Sequence, residues 1–329
     1  MKVIKVTKNE AGQRFDKLLA KVLNQAPKSF LYKMLRKKNI TLNGKKADGS
    51  EKLSVGDEVK IFLSDETYEK FATAVTIQKK EAFSTKSEIG KSIEIIYEDE
   101  NLLVLNKPVG LLSQKAEVKD ISINEHVLSY LVSTRQITKE QLATFSPGIC
   151  NRLDRNTSGL IVAGKSLIGL QTMAEAFKMR TLHKDYHCIV KDKIEGSQRI
   201  QGYLKKDEAT NKVSITAEQV EDSDYIETEY TSVKTTNEYT LLTVRLITGK
   251  THQIRAHLKS IGHPIVGDGK YGSRATNEYF QKTYGLNHQL LHAYRLEFPE
   301  FENDLKNVSR KVLIAKEPQL FQKIVNDLF

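Results

Sequence analysis

Gly148-Ile149-Cys150-Asn151-Arg152-Leu153-Asp154-Arg155-Asn156-Thr157-Ser158, running on into Gly159-Leu160-Ile161-Val162-Ala163-Gly164, is the stretch that organises this chain. One carboxylate, Asp154, stands between Arg152 and Arg155, and the residues after Ser158 form an apolar run that reads as a strand. Taken alone, Asp154 is an ordinary candidate for a surface ion pair, and such pairs contribute little. Its surroundings give it more weight.

Working outward, Ile95-Ile96-Tyr97, a turn at Asp99-Glu100-Asn101, and Leu102 to Leu105 predict a buried hairpin ending at Asn106-Lys107-Pro108, where proline stops the ladder. Ile123, Val127, Leu128 and Leu131 predict a helix, and Ser166 is placed to cap a second one reaching Arg180. Tyr186 to Val190 predicts a strand, 225–233 and 239–247 alternate like antiparallel partners, and a helix is expected from about Thr251 to Ile261. Gln289 to Phe298 is a late strand, followed by a terminal helix after Pro318. Strands joined by short turns with interspersed helices predict an α+β fold whose larger part, residues 91–329, is a mixed, largely antiparallel sheet with flanking helices.

The N-terminal part differs in charge. The 329-residue chain carries a formal net charge of +10, yet residues 1–63 hold 15 Lys plus Arg against 6 Asp plus Glu, leaving 36 against 35 for the remainder. A short basic block ahead of a nearly neutral body displaces phosphate counterions, so nucleic acid is the first partner to consider. A membrane surface is the competitor, but the block has no Trp and contains strand and hairpin signals. Within it, Met1 to Val6 reads as a strand. Phe15, Leu18, Leu19, Val22 and Leu23 recur at helical spacing. After Pro27 a second helix turns Phe30, Leu31, Met34 and Leu35 inward and Lys33, Arg36, Lys37 and Lys38 outward. Asn43-Gly44 is a strong hairpin signal, with Val59, Ile61 and Leu63 alternating beyond it. From 64 to about 90 the periodicity is lost, so a linker is expected over 71–90, separating a domain of residues 1–70 from the body.

Two cysteines, Cys150 and Cys188, are too few for a disulfide framework or thiolate metal cage, which points to a reduced, cytoplasmic protein, and no apolar run approaches membrane-span length. His252 and His257 are five apart, and His183 and His187 fall in strand-like sequence, so neither pair reads as metal ligands.

Four segments point to one family. Arg152-Leu153-Asp154 with Thr157-Ser158-Gly159 is similar to the signature of the RluA family of pseudouridine synthases. Asn106-Lys107-Pro108-Val109-Gly110 resembles that family's cleft-lining Lys-Pro-x-Gly motif, and Lys184-Asp185-Tyr186 resembles its Lys-x-Tyr segment. Thr248-Gly249-Lys250-Thr251-His252-Gln253-Ile254-Arg255, continued by Gly262-His263-Pro264-Ile265-Val266-Gly267-Asp268, resembles its Thr-Gly-Arg-Thr-His-Gln-Ile-Arg motif. The N-terminal order of helix, helix and hairpin resembles the S4 RNA-binding domain. That likeness places its RNA face at Lys33, Arg36, Lys37, Lys38, Asn43 and Lys45.

The resemblance implies an RNA pseudouridine synthase, working as a monomer on large-subunit ribosomal RNA with no cofactor and no metal. Asp154 would act on the nucleotide, Tyr186 would stack on the base and take its proton, and Arg255 would pair with and orient Asp154. Arg152 would enter the stack vacated by a flipped base, with Arg155, Lys107 and Lys250 also on the RNA. Two positions depart from the family's pattern. Asn151 stands where relatives commonly have His, which removes a titratable group, and Lys250 stands where arginine is common, which loses the bidentate fork. Two other readings remain open: a base-releasing nucleosidase or glycosylase, and a non-catalytic ribosome-binding protein.

Overall fold

A computed structural model of the chain describes residues 1–72, 93–138, 141–207, 209–210 and 212–329. The chain divides into two compact units. The first holds Met1–Ser92, Asn124–Gly148 and Ala163–Gln171, and the second holds Ile93–Ile123, Ile149–Val162 and Thr172–Phe329.

In the first unit, β1 (Lys2–Lys5), β2 (Ile40–Leu42) and β3 (Glu58–Ile61) form an antiparallel sheet with β3 in the middle. Helices α1 (Phe15–Val22) and α2 (Lys28–Arg36) pack into one core through Phe15, Leu18, Leu19, Leu31 and Leu35 together with Ile40, Val59 and Ile61. Each such side chain contributes on the order of 1.5–3 kcal/mol on burial. Asn43 and Gly44 both have positive φ, 51° and 72°, and Leu42 and Lys45 exchange backbone hydrogen bonds across them, the geometry a two-residue hairpin turn requires.

Residues 65–72 are helical (α3), although their sequence shows no clear period. The reason is that only Tyr68, Phe71 and Ala72 reach the core, too few to set one. Phe71 packs its ring 4.6 Å from Phe30. The rest of the expected linker, from 73, lies outside the described residues. Residues 124–148 join this unit, where the Thr144 hydroxyl donates to Glu10 Oε1 at 2.8 Å. They include most of helix α4 (Ile123–Ser133).

The large sheet has eleven strands among the described residues. Its strands are β4 (Glu94–Glu98), β5 (Leu102–Lys107), β6 (Gly148–Ile149), β7 (Ser158–Gly164), β8 (His183–Lys191), β9 (Ser197–Asp207), β10 (Lys212–Thr216), β11 (Ser223–Thr235), β12 (Tyr239–Leu246), β13 (Leu291–Glu297) and β14 (Val312–Ile314). The main path runs β10-β9-β11-β12-β8-β13-β7-β5-β4, with β14 on β13 and β6 on β7. Strand β13 runs parallel to β7, whereas it is antiparallel to β8, as β8 is to β12 and β12 to β11. The sheet is therefore mixed and largely antiparallel, as expected. Strand β7 is buried at every position, which explains its continuous apolar sequence.

Alternation along β8 and β12 sends Tyr186, Cys188, Val190, Leu242 and Val244 to one face, where Ile254 and Leu258 of α6 (Gln253–Ser260) cover them. Ile189 and Leu241 face the other way. They meet Phe280 of α7 (Arg274–Tyr284) and Phe321 and Ile324 of α8 (Gln319–Leu328). Helix α5 (Leu167–Lys178) starts as expected, with Gly169 N–H donating to Ser166 Oγ at 3.0 Å.

Candidate active site

Asp154 sits in the turn that feeds β7, and its neighbours fix that turn. Thr157 N–H donates to the Asp154 carbonyl at 3.1 Å, the Gln289 amide donates to Thr157 Oγ1 at 3.2 Å, and Ser158 Oγ lies 2.8 Å from His292 Nδ1. Gly159 has φ +111°, and a Cβ there would lie 2.2 Å from the Ala293 carbonyl oxygen. Glycine is required because β13 passes directly against the strand. The Thr-Ser-Gly that follows Asp154 in sequence is thus the anchoring of its loop. Asn151 does similar work through its amide: Val162 N–H donates to Asn151 Oδ1 at 2.8 Å.

Arg255, from α6, reaches Asp154 across 101 residues of sequence, with Nη1 donating to Oδ2 at 2.8 Å. The same guanidinium gives Nε and Nη2 to the two oxygens of Asp268 at 2.7 and 2.9 Å. Asp268 has no side-chain exposure and also accepts from the Lys270 and Tyr271 backbone N–H groups. Burial opposes the charge on Arg255, yet Asp268 and then Asp154 more than offset it and push its pKa up. Asp268 is likewise held below its ordinary value, because Arg255 outweighs its burial.

His252 stands beside them as the residue before α6, in the left-handed conformation at φ 55° and ψ 14°, which is uncommon for a residue with a Cβ. Its Nε2 is 3.9 Å from Asp154 Oδ2 and its Nδ1 is 3.0 Å from the Tyr271 hydroxyl. Burial first, and then the Arg255 charge, lower the His252 pKa against the opposing pull of Asp154, so the ring is neutral at pH 7.

Tyr186 belongs to β8, beside Val244 of β12 and Ala293 of β13. Burial, and then the negative charge of Asp154, raise its phenol above the ordinary value, so it stands as a neutral phenol at rest. Asp154, Tyr186, His252 and Arg255 line one cavity of about 1070 Å³, whose wall also carries Arg152, Arg155 and Lys250. Arg152 and Arg155 are exposed. Lys250 pairs with Asp224 at 2.6 Å.

Lys107 requires a correction. The sequence places it on the RNA, but it is completely buried, and its ammonium donates to the Pro108, Leu111 and Arg155 carbonyls at 2.9, 2.8 and 3.1 Å. A cation with three backbone acceptors and no exposure cannot meet phosphate. It ties the Lys-Pro-x-Gly turn to the Asp154 turn from below. Burial lowers its pKa to about 7, with Asp154 opposing.

The remaining expected RNA-facing residues lie in the first unit. Lys33, Arg36, Lys37, Lys38 and Lys45 are exposed, and no acidic side chain among the described residues forms an ion pair with them. Asn43 is exposed but occupied, since its amide donates to Asp57 at 2.8 Å and its Oδ1 accepts from Glu58 N–H. In sequence, Asp268 and Tyr271 are only parts of a motif rich in turn-forming glycines. The structure brings both to Asp154 through Arg255 and His252.

Residues 101–260 match the RNA pseudouridylate synthase family, and residues 13–59 match the S4 domain. The ribosomal large subunit pseudouridine synthase C of Vibrio vulnificus is 30% identical over 304 residues, covering 91% of this chain and 88% of the relative. The enzyme of the same name from Escherichia coli K12 is 30% identical over 306 residues, covering 91% and 88%. An uncharacterised RNA pseudouridine synthase of Mycoplasma genitalium is also 30% identical, over 90% of this chain and 89% of that one. The solved structure of human RNA pseudouridylate synthase domain containing 4 superimposes with a TM-score of 0.57 at 22% identity, covering 77% of this chain and 96% of that chain, which shows a shared fold. With relatives at 30% identity matched over nearly nine-tenths of their length, the chain belongs to the RluA-type RNA pseudouridine synthases and carries an S4 domain ahead of its synthase domain.

Proposed function

We propose that this enzyme isomerises particular uridines of large-subunit ribosomal RNA, in the cytoplasm, with Asp154 as the group that acts on the nucleotide. The observation that carries the reading is the carboxylate of Asp154, held by Arg255 at 2.8 Å in a cavity that Tyr186 also lines. Isomerisation breaks the N-glycosidic bond, turns the base and rejoins it through carbon 5, so atoms balance without redox chemistry. A carboxylate can serve as nucleophile or as stabiliser of the developing charge. Tyr186 offers a ring face to the uracil. Its phenol moves a proton only after giving up its own, which burial opposes.

A base inside a helix cannot reach Asp154, so the uridine leaves the stack, and in this reading Arg152, exposed on the cavity wall, fills the gap with its planar guanidinium. Residues 1–70 act as the docking module through Lys33, Arg36, Lys37, Lys38 and Lys45, and residues 91–329 as the synthase body. Relatives named for the ribosomal large subunit support the RNA class.

The test uses RNA labelled with tritium at uracil carbon 5, together with chemical mapping of pseudouridine in ribosomal RNA from cells with and without the gene. Tritium release, no free uracil and a lost signal in the deletion strain are expected, with Asp154→Ala inactive. Free uracil would instead mean base release, and neither product would mean a binding protein.

A further inference from the structure

The three donors that Arg255 uses are unequally shared. Two of them, Nε and Nη2, go as a fork to Asp268, and only Nη1 goes to Asp154. An arginine beside a lone carboxylate ordinarily forks onto it, engaging both oxygens. Here the fork is taken by a carboxylate that is itself immobile: Asp268 has no side-chain exposure, and its Oδ1 accepts the Lys270 and Tyr271 backbone N–H groups. Gly267, immediately before it, has φ +80°, and a Cβ there would lie 2.1 Å from the His288 carbonyl oxygen, so the loop has one path past that strand-leading segment. On the far side, Asp154 Oδ2 takes the single N–H. Its Oδ1 has no hydrogen bond among the described residues.

We propose that Asp268 is a positioning residue that restricts Arg255 to one hydrogen bond with Asp154 and thereby keeps Asp154 Oδ1 free to act. It works through Arg255 and touches no reacting atom. Were the fork released, the Nη1–Nη2 edge would turn onto both oxygens of Asp154 and tie up the attacking lone pairs. The restraint also has the right rigidity, since the bidentate pair is buried and its acceptor is fixed by backbone donors. The inference rests on the role of Asp154 given above.

Asp268→Asn keeps the shape, the two backbone hydrogen bonds and the Oδ1 acceptor, but removes the charge and sets an NH2 against Arg255 Nε, which breaks the fork. Its crystal structure is expected to show Arg255 donating to both oxygens of Asp154. Arg255 still giving one N–H to Asp154 would overturn the proposal whatever the reaction turns out to be. In turnover, kcat is expected to fall by up to about 100-fold, the size of a small misplacement of a reacting group, with KM and RNA affinity unchanged. Arg255→Lys cannot fork, so adding Asp268→Asn in that background should change kcat less than about twofold; equal losses in both backgrounds would mean a merely structural role.

If Asp268→Asn does not fold, Asp268→Glu keeps the buried charge and displaces the fork by a methylene. It should lower kcat without moving KM, and a wild-type kcat would sink the proposal. The wild type measured alongside separates the two readings: no pseudouridine from it refutes the assigned reaction, whereas normal wild-type turnover with the outcomes above refutes only the positioning.

Discussion

Replacing Lys107 by methionine removes a charge from a place with no solvent and leaves the stem of the side chain in position. In the folded protein burial holds the ammonium pKa at about 7, against an ordinary 10.5, and Asp154 pulls the other way. Because the folded value lies below the unfolded one, the unfolded chain binds the proton more readily between about pH 7 and 10.5. Raising pH through that window therefore favours the fold. Each pH unit is worth at most about 1.4 kcal/mol, and the slope is only half developed at pH 7, so wild type gains about 2 kcal/mol between pH 7 and 9. Lys107→Met has no such proton to lose.

The variant also leaves the Pro108, Leu111 and Arg155 carbonyls without their donor, at a cost of about 1–3 kcal/mol for each acceptor that water cannot reach. Avoiding a buried amine offsets part of this. Urea unfolding of both proteins, followed by circular dichroism at pH 7, 8 and 9, isolates the effect, because other titrating groups cancel in the difference. Wild type should be the more stable at pH 9, and its advantage should be about 2 kcal/mol larger there than at pH 7. An advantage independent of pH would show that the three carbonyls keep the ammonium charged throughout, and the argument from burial would fail.

Gly159→Ala forces a Cβ to within 2.2 Å of the Ala293 carbonyl at a positive φ; a loss of more than about 3 kcal/mol in thermal or urea unfolding is expected, and an unchanged midpoint would mean that β13 can step aside. Tyr186→Phe keeps the ring but not the phenol, so RNA affinity should hold while kcat falls by roughly 100-fold or more; equal turnover would leave Tyr186 with stacking alone. Changing Lys33, Arg36, Lys37 and Lys38 together to Gln should weaken RNA binding and flatten its dependence on log salt, by about 0.7–0.9 for each phosphate no longer neutralised. A salt slope that does not move would place the RNA elsewhere.

Much of this architecture is legible in the sequence because its period is strong. The Phe15 to Leu23 spacing, the Asn43-Gly44 turn and the unbroken apolar run of β7 each have one physical interpretation. Strand β9 escapes such a reading because Gly202 falls among its inward residues, between Ile200 and Leu204, and the residues beyond them at either end, Gln198 and Lys206, are polar. Helix α7 escapes it because only Thr276 and Phe280 are buried, although Ser273 caps its start and Gly285 its end.

At the site, the residue types around Asp154 and Arg255 are legible, but depth is not. Nothing in the sequence separates a lysine on the cleft floor from one beneath it, so Lys107 reads as a phosphate ligand until the fold shows it buried. The bond between Arg255 and Asp268 is hidden for a related reason, since thirteen residues of separation carry no periodic signature of a side-chain pair.

The place of β13 bears on how the enzyme comes into being. In the sheet it lies between β7 and β8, yet in the chain it comes about a hundred residues after β8. A chain emerging from the ribosome at roughly 5–20 residues per second has synthesised Asp154, Tyr186 and Arg255 well before the strand that seats β7 beside β8. The slot between them stays empty until then, with Gly159 waiting for Ala293. A nascent chain therefore holds Asp154, Tyr186 and Arg255 before Leu291–Glu297 exist to fill the place between the strands that carry or follow the first two.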